Sequence, residues 1–116
     1  MTTLYGIPNC DQVRKARAWL DRHTVSYAFH DFRKSGIMRQ QIDLWLQDIE
    51  WETLLNRKGS TWRTLSDERK ATINDAPGAA ALMFEAPTII KRPVLVLDGR
   101  TYVGFDEATY QRIFNT

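Results

Sequence analysis

Cys10 is the side chain with the sharpest chemical potential in this sequence. It follows a short β-rich segment, Thr3 to Ile7, and the turn residues Pro8 and Asn9, and it opens a helical stretch that begins with Asp11. The unpaired N–H groups and partial positive charge of a helix N-terminus stabilise an anion. A thiolate is such an anion and is the reactive form of cysteine. Arg14, one helical turn on, would add to this effect, and Asp11 would oppose it. The alternative is a free cysteine that packs as a small apolar residue. The strand-to-helix position favours the reactive reading. Position 13 is Val, so the Cys-x-x-Cys pattern of dithiol oxidoreductases is absent. Cys10 could therefore attack a disulfide or an oxidised substrate, but a thiol from outside the chain must resolve the adduct. Glutathione is the obvious source. His23 and His30 offer a Cys-His hydrolase pair in principle, but neither stands in a signature, and both read as surface or strand histidines.

A second feature is Ile89-Ile90-Lys91-Arg92-Pro93-Val94, with two adjacent cations ahead of a proline and an apolar strand. Arg grips carboxylates and oxyanions bidentately. A cis Arg92–Pro93 bond would form a tight turn that presents backbone polar groups to a ligand. The competing reading is a solvated strand start with an edge proline. The basic residues Arg57, Lys58 and Arg63 read first as a solvated loop. Ile42, Trp45, Leu46 and Trp51 read as core.

The elements around these residues follow from their periodicity. Val13, Ala16 and Leu20 give α-helical spacing, placing a helix over 11–23. Ser26 to Phe32 reads as a strand with Val25, Tyr27 and Phe29 on one side, so β-α-β implies a parallel pair. Ile42, Trp45, Leu46 and Ile49 mark an amphipathic helix, Trp51 to Leu55 a short helical turn, and 56–61 a polar loop. Ser66-Asp67-Glu68 starts another helix, and Ala79 to Phe84 fills the interior of a further one, with Pro77 tolerated in its first turn. Val94 to Leu97, Asp98-Gly99 and Thr101 to Val103 form a hairpin signal with a type I′ turn. Asp106 caps a last helix carrying Tyr110, Ile113 and Phe114. The string β-α-β, helices, β-β-α predicts an α/β (α+β) domain with a mixed sheet of about four strands.

Composition sets the class. The 116 residues fit one domain, with 43% apolar and 11% aromatic residues to supply a core. Sixteen Lys and Arg against 14 Asp and Glu give a net charge of +2, which does not indicate a nucleic-acid binder. No apolar run suggests a membrane span, and the N-terminus lacks signal-peptide character. A single Cys excludes an internal disulfide and points to a reducing, cytoplasmic setting. One Cys and 2 His fall short of a structural zinc ligand set, so no metal is expected.

Leu4-Tyr5-Gly6-Ile7-Pro8-Asn9-Cys10-Asp11 with Arg14-Lys15-Ala16 resembles the N-terminal motif of the ArsC family. Leu54-Leu55-Asn56-Arg57-Lys58-Gly59, Ile90-Lys91-Arg92-Pro93-Val94 and Val103-Gly104-Phe105-Asp106 resemble its later blocks. Thr61-Trp62-Arg63 and the run Ala79 to Met83 are similar to the YffB-like branch. The resemblance implies a thioredoxin-like fold, with a core over about 1–32 and 86–116 and a helical insertion over about 33–85. It implies that Cys10 is the nucleophile of a glutathione-dependent monothiol reductase. No bound cofactor is implied; glutathione is the co-substrate and glutaredoxin a further partner. Substrate or glutathione would be held by Arg92, Pro93, Arg57, Asn9, Arg14 and Arg63. Arsenate reductases of the family hold their oxyanion with three arginines. Arg92 matches one and Arg57 a second, but the third place falls at Gly104-Phe105, which implies a weak arsenate reductase at most. The family also includes Spx, a transcription regulator that binds RNA polymerase, so a non-enzymatic regulator is the alternative. The Cys-x-x-Cys switch of Spx is missing here because of Val13.

Overall fold

The computed structural model describes residues 1–115. Thr116, the end of the core range read from the sequence, lies outside the described residues. Contacts divide the chain into two compact units, one made of Met1–Asp31 with the chain from Arg92 onward, the other of Phe32–Lys91.

The first unit holds the sheet. Its strands are β1 (Thr2–Gly6), β2 (Ala28–Asp31), β3 (Val94–Leu97) and β4 (Arg100–Val103), and its helices are α1 (Asp11–Arg22) and α8 (Glu107–Phe114). The strand order is β2-β1-β3-β4. β1 and β2 are parallel, as the intervening helix requires, whereas β3 runs antiparallel to both β1 and β4. This is the mixed four-stranded sheet read from the sequence. Asp98 and Gly99 take φ of 50° and 80°, the paired positive values of the type I′ turn read from the sequence. The Asp106 carboxylate caps α8 by accepting the Thr109 N–H at 3.2 Å and the Thr109 hydroxyl at 2.7 Å.

One face of the sheet carries the core. Leu4, Ala16, Trp19, Leu20, Leu95 and Tyr110 are buried together, and Val25, Tyr27, Phe29, Tyr102, Phe105, Ile113 and Phe114 pack around them. Val13, Ala16 and Leu20 all point inward, as their spacing predicts. Trp19 joins them, and the Tyr110 ring meets its edge at 5.4 Å. Gly6 lets β1 approach α1 closely, since a Cβ there would stand 2.6 Å from a Val13 methyl.

The second unit is helical. It comprises α2 (Phe32–Ser35), α3 (Arg39–Asp48), α4 (Trp51–Leu54), α5 (Ser60–Arg63), α6 (Asp67–Ala71), α7 (Ala76–Glu85) and a short 3₁₀ helix, Pro87–Ile89. Ile42 and Trp45 are buried in it as expected, together with Leu54, Ala79, Ala80, Leu82 and Met83. Trp51 and Leu46 are only half-buried, which corrects their reading as core, and Phe84, inside α7 as expected, is exposed. Trp51 opens α4, and its ring lies 5.7 Å beneath the Arg57 guanidinium. The polar stretch read as a loop over 56–61 ends earlier, because Ser60 begins α5.

The unit boundary also departs from the range read in the sequence. Residues 86–91 group with the helices, not with the sheet. Ile90 forms an antiparallel bridge with Leu55. The Asn56 N–H donates to the Ile89 carbonyl and the Lys91 N–H to the Leu54 carbonyl, both at 2.8 Å. These bonds fasten the segment before β3 to the end of α4.

Candidate functional site at the carboxyl end of the first strand

β1 delivers the chain to Cys10 through a tight turn. The Cys10 N–H donates to the Ile7 carbonyl at 3.2 Å, closing the turn through Pro8 and Asn9. Cys10 is the N-cap of α1, in extended conformation, and its carbonyl accepts the Arg14 N–H at 2.9 Å. The thiol makes no capping hydrogen bond. It is a free cysteine, half-buried. Cys10 therefore stands at the N-terminus of a helix of 12 residues, whose leading N–H groups lack intrahelical acceptors.

The strand register brings other segments to the same end of the sheet. Tyr5 of β1 pairs with Val94 of β3, so Pro93 comes alongside Gly6 as the chain leaves β1 for Cys10. Val94 pairs in turn with Val103, and the Gly104 N–H donates to the Pro93 carbonyl at 2.8 Å. Gly104 has φ of 79°, a conformation that excludes most side chains at this point. The Arg92–Pro93 peptide is cis. Arg92 is half-buried with its Nε below the surface, and Pro93 is buried.

Other predicted site residues have different surroundings. Asn9 is exposed in the turn. Arg14 is exposed and forms an ion pair with the Asp11 carboxylate. The two charges that the sequence sets for and against the thiol thus engage each other first. Arg57 and Arg63 are exposed on the 32–91 unit.

The histidines stand as structural groups. His23 ends α1, about 20 Å along the helix from Cys10. Its ring stacks on Trp19 at 3.9 Å, and its Nδ1 lies 2.9 Å from the Trp19 carbonyl. His30 packs against the Tyr5 ring at 5.0 Å. Among the described residues, no three His, Cys, Asp or Glu side chains are grouped to hold a metal ion. No described helix is long and apolar enough to cross a membrane.

Sequence reasoning passed over two residues here. Asp31 pairs with Gly6 and ends β2 at the same edge as the Cys10 turn. Parallel strands align their carboxyl ends, and ligands bind beyond such ends, so the β-α-β reading held the signal for it. Phe105 reads in the sequence only as the place of a missing arginine. Its ring meets the buried Tyr110 ring edge-on at 4.8 Å and packs against the core. Burial pushes the Tyr110 phenol well above its ordinary range and keeps it neutral.

The model of the ArsC family matches residues 5–113. The chain belongs to the ArsC family. A solved YffB protein is 46% identical, covers 97% of each chain and superimposes with a TM-score of 0.93. An arsenate reductase (ArsC) related protein from Brucella melitensis is 43% identical over 99% of this chain and 95% of its own, with a TM-score of 0.75. The global transcriptional regulator Spx of Streptococcus pyogenes is 29% identical over 92% of this chain and 80% of its own. Within the family the chain is YffB-like, arsenate-reductase-like and related to Spx.

Proposed function

We propose that this ArsC-family protein is a cytoplasmic, glutathione-dependent monothiol reductase with Cys10 as its nucleophile. One observation carries the reading: the free, half-buried Cys10 caps α1 without using its sulfur, beside the segment that carries Arg92 and Pro93. The Cys10 thiolate attacks one sulfur of a disulfide substrate. A Cys10–S bond forms, the substrate S–S bond breaks, and the departing thiolate takes up a proton. A glutathione thiolate then attacks the substrate sulfur of the adduct and frees the Cys10 thiolate. A second glutathione reduces the resulting mixed disulfide. The net change converts one disulfide and two glutathiones to two thiols and oxidised glutathione. Arg92 holds an anionic group of substrate or glutathione, and Pro93 sets the backbone beside it. Glutaredoxin is a further partner on the same thiol chemistry.

The test is mass spectrometry after treatment with oxidised glutathione, followed by turnover with reduced glutathione. A one-to-one glutathione adduct on Cys10 that reduced glutathione removes is expected. A folded protein whose Cys10 stays unmodified would reject the reading.

Arg92→Ala is expected to weaken glutathione binding far more than folding. A lost charge-assisted contact is worth about 1.5–3 kcal/mol. Calorimetry alongside a melting curve separates the two effects, and equal affinity in both proteins would reduce Arg92 to a surface charge.

The likeness to Spx favours a second reading, a regulator that binds RNA polymerase. Retention of polymerase subunits by the purified protein, without turnover, would favour it over the enzyme.

A further inference from the structure

The helical unit concentrates cations that its own carboxylates leave unneutralised. The Leu55–Ile90 bridge and its two flanking hydrogen bonds fix the loop carrying Arg57 and Lys58 beside Lys91. Lys58 is held further by its N–H, which donates to the Asn56 side chain at 3.0 Å. The hydroxyls of Thr61 and Thr88 lie 2.9 Å apart, and they pin α5, with Arg63, to the 3₁₀ segment before Lys91. Four cations thus leave one hydrogen-bonded patch of backbone, and all four are exposed.

Two other cations of this unit have acidic partners. Arg39 pairs with Asp43 at 3.2 Å and Arg69 with Glu85 at 2.9 Å. Among the described residues, Arg57, Lys58, Arg63 and Lys91 pair with no carboxylate. The chain from Thr53 to Ser66 and from Ala86 to Leu97 contains no Asp or Glu. These four like charges thus have no acidic residue within their own segments. Two half-buried tryptophans accompany them. Trp51 lies under Arg57, and Trp62 neighbours Arg63 in α5. Trp and Arg together are the residues that dominate the energetics of protein–protein contacts.

We infer that this face of the helical unit is a docking surface for an acidic segment of a partner protein. Aspartates and glutamates of the partner would neutralise Arg57, Lys58, Arg63 and Lys91, and an apolar side chain among them would cover the tryptophans. A long nucleic acid fits less well. The chain as a whole carries 14 acidic residues against 16 basic ones, and Asp67 and Glu68 begin the next helix, so a basic track does not extend beyond the patch. Arg57 and Arg63 are also among the residues that the family resemblance assigns to substrate or glutathione, so the test varies Lys58 and Lys91 alone.

The experiment titrates the full chain with a fluorescent peptide of alternating glutamate and tryptophan, at low and at physiological salt. Lys58→Glu with Lys91→Glu is made as a double variant. Neither residue is buried, so the melting curve should hold. Wild-type binding that weakens with salt, and weakens about tenfold or more in the double variant, is expected. A conservative Lys58→Arg with Lys91→Arg variant should retain it. Equal binding by wild type and the charge-reversed protein would overturn the inference. Tighter binding of single-stranded RNA than of the peptide at the same salt would overturn it in favour of a nucleic-acid surface. Competition by citrate or phosphate at concentrations matching the peptide would reduce the patch to a small-anion site.

Discussion

Cys10→Ser is expected to abolish glutathione-coupled disulfide reduction, by at least about 10³-fold, while leaving the melting temperature almost unchanged. The chain has one cysteine, so no neighbouring thiol can take over. The nearest position that would support a dithiol mechanism, one helical turn on, is Val13, which is fully buried. A serine hydroxyl at position 10 would keep the geometry and lose the nucleophile, since its proton is held far more tightly than that of a thiol. The stability expectation rests on the contacts of the side chain. The Cys10 backbone makes the turn and helix hydrogen bonds, and its sulfur caps nothing. Serine is also a favoured N-cap residue, so the substitution should be neutral or slightly stabilising. Turnover is read by oxidation of glutathione and stability by thermal unfolding. Residual turnover near the wild-type level in Cys10→Ser would remove Cys10 from the chemistry altogether.

The parts of this molecule that were legible in its sequence are those fixed by neighbours along the chain. Asp98-Gly99 demands its turn, Asp106 caps its helix, and Val13, Ala16 and Leu20 turn one face of α1 to the core. Cys10 could be singled out because strand, turn and helix follow one another within a few residues. The pairing of Arg14 with Asp11 is also local, at the i,i+3 spacing that puts two side chains on one helix face, and was open to the same reasoning. Pairings between distant segments were not legible. Nothing in the spacing tells that β3 lies beside β1, yet that register carries Pro93 to the turn before Cys10. The Leu55–Ile90 bridge is similarly non-local, and it moves residues 86–91 from the sheet to the helical unit. A helix as short as α5, 4 residues, is too brief to display a period, so composition alone suggested loop over its start.

Reduction of arsenate is expected to be slow, about 10² to 10³ below an efficient enzyme, even with glutathione and a glutaredoxin supplied. A thiolate attacking a tetrahedral oxyanion brings two anions together and strips both of water. Fixed cations must offset that cost before reaction. Resemblance to the family's arsenate reductases assigns three arginines to this task, and the third place here is Gly104-Phe105. The structure shows why a cation is not readily housed there. Gly104 has φ of 79° and donates its N–H to the Pro93 carbonyl, so an arginine at 104 would be strained. Phe105 is the next position, and its ring packs on Tyr110 over the buried core. Phe105→Arg should therefore raise the rate of arsenite formation and lower stability together, the latter by about 1–2 kcal/mol for the lost aromatic contact. Arsenite production coupled to glutathione oxidation reads the first effect, and a denaturant melt reads the second. Wild-type turnover on a par with an efficient arsenate reductase would refute the electrostatic account. A folded Phe105→Arg protein with no gain in arsenite would show that the charge missing from this position is not what limits the rate.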